Sequence, residues 1–394
     1  MKTEQYINEA EQVILHTYNR FPVVLEKGDG CYLYDVDGKK YLDFVAGIAV
    51  HALGHNCKEL NDALKGQIDQ LIHVSNLYYN VPVIEAAEKI TKASGMDRVF
   101  FTNSGAEAIE GAVKTALKCA YTKDGSADHE IIAMEHSFHG RTMGSLSVTG
   151  NEKYRAPFDS FCGAVKFAKF NDLDSVNALV TDKTCAVIME TVQGEGGLYP
   201  AEEAFLKGVR KLCDEKGLLL ILDEIQCGMG RCGEMFAWQK YQVKPDVMTV
   251  AKALGCGIPV GAFLMTQEVA DNGLCAGDHG TTYGGNPLAT AAVSKVLDLY
   301  EEQNIVEHVK SVSAYLVKRL DELVSKHECL IERRGLGLMQ GLVTKQPAKE
   351  IADLALEQGL LVITAGANVL RMVPPLVITN EQVDEMIDLL EKCL

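Results

Sequence analysis

The chain has 394 residues, 47% of them hydrophobic, which is enough for a large core and more than one domain of usual size. The formal net charge of −16 argues against a nucleic acid or an acidic membrane surface as partner. The apolar runs are too short for a membrane span, and twelve scattered cysteines without a CxxC pair or a signal peptide favour a reducing cytoplasm.

The first chemically informative segment is a predicted strand, turn and helix. Arg98–Thr102 is predicted to be a strand, and Ala106–Ala120 a helix with apolar residues at helical spacing. A helix that starts after Ser104 and Gly105 offers free backbone amides and a positive dipole end to a phosphate. An ordinary N-cap by Asn103 or Ser104 explains the same residues, so this segment alone does not establish a phosphate site.

Two short apolar runs further along the chain each end in one charged residue. Gly217–Asp223 stops at Asp223 and Asp246–Lys252 stops at Lys252, and both runs are typical of buried parallel strands. A carboxylate and an amine at the edge of a core are costly unless a partner pairs with them. A pyridoxal phosphate ring uses both, the amine for a Schiff base and the carboxylate to keep its ring nitrogen protonated. On the runs alone, a surface Asp and a surface Lys just past two strand ends explain the pattern equally well.

A competing motif follows the first run. Gly228–Gly233 matches GxGxxG, which is typical of dinucleotide-binding dehydrogenases. In that fold the first glycine follows the strand at once and the last opens a helix. Here four residues, Glu224–Cys227, separate the strand from the motif, and no helical pattern begins until about Phe236. We therefore reject the nicotinamide interpretation.

Two histidine pairs have spacings that could hold a metal ion. They are His51 with His55 and His136 with His139. No matching carboxylate or thiol set accompanies either pair, so we predict no metal site.

The C-terminal part of the chain changes character. Strands and helices alternate from Val99 to Ala262, which indicates a parallel sheet wrapped by helices. Glu301–Lys326 is then predicted to be one long amphipathic helix, and Thr379 with Gln382 forms a capping-box pattern before another helix. The last hundred or so residues are therefore predicted to form a separate α+β unit.

Six motifs in one order give the chain a family resemblance. It resembles the class III pyridoxal-phosphate-dependent aminotransferases, through Thr102–Ala108, His136–Thr142, Gln193–Gly197, Asp223–Arg231, Ala251–Gly255 and Thr282–Pro287. The resemblance implies an α/β fold of type I, with a large domain built on a mainly parallel sheet and a smaller α+β domain. It places residues 51–300 in the large cofactor-binding domain, and residues 1–50 together with 301–394 in the small one.

Three further segments narrow the resemblance within that family. Ala46–Val50, Ser75–Tyr79 and Leu370–Pro375 are similar to the members that act on acetylornithine. The implied reaction transfers the δ-amino group of N2-acetyl-L-ornithine to 2-oxoglutarate, in arginine biosynthesis. The alternative is another ω-aminotransferase acting on succinylornithine, ornithine or 4-aminobutyrate. A second alternative, from a different functional class, is a catalytically inactive dimer that serves only for binding. The charged residues present in the motifs argue against it.

The resemblance also implies a cofactor site, with pyridoxal 5'-phosphate joined to Lys252 as a Schiff base. Lys252 would move the substrate proton, and Asp223 would hold the ring nitrogen protonated. Gln226 would bond the phenolic oxygen of the ring, and Phe138 would stack on the ring face. The phosphate would be held by Ser104, Gly105, Ala106 and Thr282. In this family Thr282 comes from the partner subunit, so a homodimer with sites at the subunit interface is implied.

Four residues are implied in substrate binding. Arg141 would hold the far carboxylate of the substrate, and Arg371 the α-carboxylate of glutamate, since a guanidinium meets a carboxylate with two hydrogen bonds. Glu195 would pair with Arg371 when an ω-amine enters and move away for glutamate. Thr281 would lie near the substrate.

Overall fold

A seven-stranded sheet forms the centre of the protein, which the computed structural model describes over residues 2–161 and 164–394. In order across the sheet its strands are β4 (Arg98–Thr102), β12 (Gly261–Met265), β11 (Val247–Val250), β10 (Leu219–Asp223), β7 (Thr184–Glu190), β5 (Glu130–Met134) and β6 (Val165–Ala168). Strand β12 runs antiparallel to both of its neighbours, while the pairs from β11 to β6 are parallel. The predicted mainly parallel sheet is confirmed.

Both faces of this sheet are buried, because successive residues of a strand point to opposite sides. Val187 and Leu220 belong to the larger apolar core, whereas their neighbours Ile188 and Ile221 belong to a second core on the other face. The helix that follows β4 packs on this second face. As its periodicity predicts, Ile109 is among its fully buried residues. The strands are thus short, apolar and enclosed, and polar side chains concentrate at their ends.

The described residues form fifteen α-helices. They are α1 (Lys2–Val13), α2 (Ala46–Ala49), α3 (Lys58–Ile68), α4 (Val81–Ser94), α5 (Gly105–Asp124), α6 (Met143–Ser147), α7 (Glu152–Arg155), α8 (Leu173–Leu179), α9 (Glu203–Lys216), α10 (Ala237–Tyr241), α11 (Gln267–Asn272), α12 (Pro287–Glu302), α13 (Ile305–Lys326), α14 (Ala348–Gln358) and α15 (Asn380–Glu391). Short 3-10 helices span Ala156–Phe161 and Lys252–Leu254.

Three small sheets complete the fold of the residues that the structure describes. Their strands, in spatial order, are β1 (Leu25–Asp29), β2 (Tyr32–Asp35), β3 (Lys40–Asp43) and β15 (Leu360–Leu361); β13 (Leu330–Leu336), β14 (Met339–Thr344), β17 (Val369–Met372) and β16 (Ile363–Thr364); and β8 (Val192–Gln193) with β9 (Tyr199–Pro200). In the first of these sheets, N-terminal strand β3 pairs in parallel with C-terminal strand β15. The division of the chain into two domains stays a prediction.

The predicted helix Glu301–Lys326 is wrong at its start. Glu301 belongs to the end of α12, and α13 begins only at Ile305. Asn304 separates the two helices because its backbone is left-handed, with φ of 51°, a conformation that asparagine tolerates but that no α-helix continues through. The predicted capping box is confirmed, since Thr379 and Gln382 each bond the other's backbone N–H at the start of α15.

Candidate active site

A cavity of 470 Å³ opens at the edge of the central sheet where the parallel strands end. Its walls come from the residues that follow β5, β7, β10 and β11 and from the first residues of α5, because the carboxyl ends of parallel strands meet at one edge. Eight of the predicted site residues line it: Ser104, Gly105, Ala106, Phe138, Arg141, Asp223, Gln226 and Lys252.

Lys252 lies two residues beyond the end of β11, in a 3-10 turn that borders the cavity. Burial lowers the pKa of its amine, and the nearby Arg371 lowers it further, while Glu195, Asp223 and Glu190 act in the opposite direction. A lysine with a lowered pKa has a larger fraction of neutral amine, which is the form that attacks a carbonyl carbon and accepts a proton.

Asp223 is the last residue of β10 and only 3% exposed. Its Oδ1 accepts hydrogen bonds from the backbone N–H of Ile225 at 3.0 Å and from the hydroxyl of Thr249 at 3.1 Å. Its Oδ2 accepts a hydrogen bond from His139 Nδ1 at 2.7 Å. A carboxylate offers about four acceptor positions, so three donors leave Asp223 one position for a donor in the cavity.

The start of α5 provides the expected anion-binding feature. Ser104 is the N-cap, and its hydroxyl accepts a hydrogen bond from the backbone N–H of Glu107. The amides of Gly105 and Ala106 are the first two of the helix and have no acceptor within it. A side chain at Gly105 would lie 2.9 Å from Ile225, so glycine keeps this end of the cavity open. The ordinary N-cap is therefore present, and it leaves the amides of Gly105 and Ala106 free of any acceptor within the helix.

Arg371 and Glu195 form an ion pair beside the cavity. Arg371 Nη1 lies 2.6 Å from Glu195 Oε1 and 3.3 Å from Gln226 Oε1. The Arg371 side chain is 3% exposed, whereas that of Glu195 is 29% exposed. Strand β17 thus brings the guanidinium to the cavity-lining Gln226, and its carboxylate partner is the more exposed of the two side chains.

Arg141 is an exposed residue at the rim of the cavity. Its guanidinium carbon lies 3.6 Å from the centre of the Tyr154 ring and 5.5 Å from that of Phe138. Cation–π contact with a ring face holds the planar group in place while its edge stays free for a carboxylate. The sequence analysis missed Tyr154, because neither charge nor motif spacing shows that α7 packs against this loop.

Thr281 and Thr282 do not line the cavity within one described chain. The Thr281 hydroxyl accepts hydrogen bonds from Asn103 Nδ2 and from the backbone N–H of Gly284, both at 3.1 Å. Thr282 is exposed. The predicted role of Thr282 as a phosphate ligand requires a second copy of the chain.

Two further residues at the cavity were missed by the sequence analysis. Glu190 and His139 both line it, and neither was assigned a role. A signal for Glu190 exists, since the buried strand β7 ends in this carboxylate just as β10 ends in Asp223. His139 was considered only as part of a metal-type pair with His136, and its place beside Phe138 in one of the family motifs was its remaining signal.

The residues present fit pyridoxal phosphate. Free amides at the start of α5 suit its phosphate, the buried Lys252 amine suits its aldehyde, and the free acceptor position of Asp223 suits its ring nitrogen. Phe138 also lines the cavity and offers a ring face for stacking.

Comparison with known proteins identifies the family. The model of the class III aminotransferases matches residues 13–394. The chain belongs to the class III aminotransferases. An acetylornithine aminotransferase of Methanocaldococcus jannaschii is 44% identical over 392 residues, covering 100% of this chain and 98% of the relative. Members of this family use pyridoxal phosphate, so the protein is a pyridoxal-phosphate-dependent aminotransferase.

Solved structures of aminotransferases share its fold. An ornithine aminotransferase of Toxoplasma gondii superposes with a TM-score of 0.95 at 30% identity, covering 99% of this chain and 93% of that one. An N-acetylornithine aminotransferase of Stenotrophomonas maltophilia has a TM-score of 0.84 at 38% identity, with 98% of each chain covered. The predicted type I fold of this aminotransferase is thereby confirmed. None of its described helices has the length and hydropathy needed to span a membrane.

Proposed function

We propose that this aminotransferase transfers the δ-amino group of N2-acetyl-L-ornithine to 2-oxoglutarate, giving an N-acetylated glutamate semialdehyde and glutamate in arginine biosynthesis. The observation that carries the proposal is the ion pair between Arg371 and Glu195 at 2.6 Å. The relative from Methanocaldococcus jannaschii, named an acetylornithine aminotransferase, supports the same substrate.

The ion pair suits an enzyme that must accept two kinds of amine. The δ-amine of acetylornithine brings no carboxylate near the reacting carbon, so a buried Arg371 without Glu195 would cost on the order of a few kcal/mol. Glutamate brings an α-carboxylate that can replace Glu195 with two hydrogen bonds of its own. One site can therefore run an ω-transamination in one direction and an α-transamination in the other.

Arg141 is our candidate for the carboxylate at the far end of either substrate. Its position at the cavity rim, stacked on Tyr154, is consistent with that role. In acetylornithine the far carboxylate is the one next to the acetamido group, and in glutamate it is the side-chain carboxylate. We place Thr281 near the substrate as well, on the family pattern alone.

Lys252 and Asp223 have separate tasks in the proposed reaction. Bound pyridoxal phosphate supplies an electron sink that stabilises negative charge on the substrate carbon. The Nζ atom of Lys252, with its lowered pKa, accepts the proton from that carbon and later returns one. The Asp223 carboxylate, which also lines the cavity, would stabilise a positive charge on the cofactor ring nitrogen. The buried walls around both groups exclude water, which strengthens these interactions.

We further propose a homodimer with two shared sites. Large apolar side chains next to the Thr281–Thr282 loop are exposed in the single chain, including Leu77 at 86% and Tyr79 at 97%. The side chain of Asn76 donates hydrogen bonds to the backbone of that same loop. A second copy that covers this surface would bring Thr282 to the partner's cavity. The cytoplasmic location stays a prediction.

A single-turnover panel tests the substrate. The holoenzyme is mixed with N2-acetylornithine, N2-succinylornithine, ornithine or 4-aminobutyrate, and the loss of bound-cofactor absorbance is followed for each amine. N2-acetylornithine should react fastest per unit concentration, by about 10–200-fold over amines that differ by one small group. The Lys252→Ala protein is the control and should show no such loss. A faster reaction with any other amine would contradict the substrate assignment.

A further inference from the structure

Two buried carboxylates lie side by side at the edge of the central sheet. Glu190 ends β7 and Asp223 ends β10, and the parallel register pairs these two residues directly. Only 5% of Glu190 and 3% of Asp223 is exposed. Adjacent like charges in a dry environment repel each other strongly, so a neighbouring cation or a shared proton has to compensate.

The side chain of His139 provides the compensation. Its Nδ1 donates a hydrogen bond of 2.7 Å to Asp223 Oδ2, and the ring is completely buried. The main chain at this residue is fixed as well, because the backbone N–H of His139 donates a hydrogen bond to the hydroxyl of Thr149 at 3.0 Å. Its Nε2 has no hydrogen-bond partner within the part of the chain that the structure describes. The one hydrogen bond of the ring is therefore committed to Asp223.

Glu190 is fixed by backbone amides. Its Oε2 accepts a hydrogen bond from Phe138 N at 3.2 Å, and its Oε1 accepts one from Gly194 N at 3.1 Å. These bonds hold the Glu190 carboxyl next to the residue that precedes His139. The charge of Glu190 can therefore act on the imidazole without a direct hydrogen bond between the two side chains.

The acid–base balance of the three groups follows from this geometry. Burial lowers the pKa of His139, but the hydrogen bond and charge of Asp223, together with the charge of Glu190, raise it by more. Burial raises the pKa of Glu190 to about 7, with His139 opposing the rise and Asp223 adding to it. Lys252 also faces these carboxylates, and Arg371 faces Lys252.

We propose that His139 is a positioning residue, which keeps the Asp223 carboxylate ionised and aimed at the cofactor cavity, and that Glu190 balances the charge of His139. The inference rests on Asp223 as the partner of the cofactor ring nitrogen, within the function proposed above. The Ile225 amide and the Thr249 hydroxyl fix one oxygen of Asp223, and His139 fixes the other. Without His139, Asp223 would face a buried like charge and could lower its energy by taking up a proton, which would turn an acceptor for the ring nitrogen into a donor.

Two substitutions at His139 separate a hydrogen-bonding role from packing. His139→Asn places an amide nitrogen close to the position of Nδ1 and keeps a neutral donor to Asp223, whereas His139→Leu removes the donor. The matched control is His136→Asn, since His136 is exposed, lies in the same motif and has a φ of 63° that asparagine tolerates. Each apoenzyme is titrated with pyridoxal phosphate by equilibrium dialysis, and the absorbance of the bound cofactor is then followed against pH.

The expected order of cofactor affinity is wild type and His136→Asn, then His139→Asn, then His139→Leu. The Leu variant should bind at least about tenfold more weakly, because a buried charged acceptor loses its strongest donor. Both His139 variants should shift the pH titration of the bound cofactor, and the control should not. If His139→Asn and His139→Leu bind the cofactor with the same affinity, and the pH titration of the bound cofactor does not shift, then His139 only fills space and the inference is overturned.

A double-mutant cycle tests the role of Glu190. Glu190→Gln alone removes the charge that balances His139 and should weaken cofactor binding. Combined with His139→Asn it should cost little more than the worse single variant, because both charges are then gone. Additive losses would refute the balancing role. These measurements need no amine substrate, so they can fail or succeed independently of the substrate panel.

Discussion

The backbone of Lys252 is left-handed, with φ of 48°. A lysine in that conformation costs about 1–2 kcal/mol relative to an ordinary one. The strain is held by the surrounding fold, because β11 ends two residues before Lys252 and a 3-10 turn begins at Lys252 itself. The amine is thereby fixed at the cavity wall, where it can reach the cofactor with little further ordering.

The Arg371–Glu195 contact makes a specific prediction for the two half-reactions. Glu195→Gln leaves Arg371 without a charged partner when acetylornithine enters, so the single-turnover rate with that amine should fall about 10-fold or more. The rate with glutamate should stay the same or rise, because no ion pair has to open first. The measurement is the ratio of the two single-turnover rates. Glu202→Gln, at an exposed position seven residues on, is the control.

A Glu195→Gln protein in which both rates fall together would contradict the exchange of partners at Arg371. A larger fall with glutamate would contradict it as well. In either case Glu195 would act as a general electrostatic residue.

Among the secondary-structure elements, the short helix α10 depends on one buried side chain. Glu224, directly after Asp223, accepts hydrogen bonds from the backbone N–H groups of Ala237 at 2.7 Å and Trp238 at 3.0 Å, the first two of α10. It also accepts one from the hydroxyl of Thr191 at 2.7 Å. A carboxylate is the favoured partner for a helix N-terminus, so Glu224 fixes α10 to the end of the strand that carries Asp223.

This cap predicts a pH dependence of stability. Burial raises the pKa of Glu224 from 4.5 to about 7, so between these values the folded chain binds more protons than the unfolded one. The free energy of unfolding should therefore fall as pH rises through this window, by on the order of 1–3 kcal/mol from this group. Glu224→Gln should flatten that fall, measured by urea unfolding of the apoenzyme at about pH 5 and about pH 7.

The pKa of Glu190 is raised by burial as well. Part of the dependence of unfolding free energy on pH should therefore remain in Glu224→Gln. The control is Glu215→Gln at an exposed position of α9, which should keep the wild-type slope. An unchanged slope in Glu224→Gln would mean that this carboxyl group titrates alike in both states.

The sequence predicted those elements whose pattern is local. Strand β4, the run that ends at Asp223, the Ser104 cap and the Thr379 capping box all depend on residues close together in the chain. What it missed depends on distant contacts, such as the 84-residue separation of His139 and Asp223. The break at Asn304 was missed because apolar residues continue at helical spacing through two helices that only Gln303 and the left-handed Asn304 separate.

At the scale of the whole molecule, the proposed dimer makes each site depend on two chains. Thr282→Ala would damage the partner's site, and Lys252→Ala the chain's own site. In a mixed dimer one site then carries both defects and the other carries neither. Activity should therefore rise from near zero in each homodimer toward that of one intact site per mixed dimer, measured in steady state after subunit exchange.

Exchange in this experiment is monitored separately, by native mass spectrometry of chains with different affinity tags. A mixture of wild type with Lys252→Ala provides the reference for one intact site. Confirmed exchange without a gain of activity would place Thr282 in its own subunit's site or outside it.

The parallel pairing of β3 with β15 joins Leu42 to Leu360, more than 300 residues apart. On the ribosome β3 therefore emerges more than 300 residues before the strand that completes its sheet. At about 5–20 residues per second, the edge of β3 waits roughly 15–65 s for its partner. An open strand edge is a template for aggregation, so slow translation or premature termination of this message exposes a surface that the finished enzyme never shows.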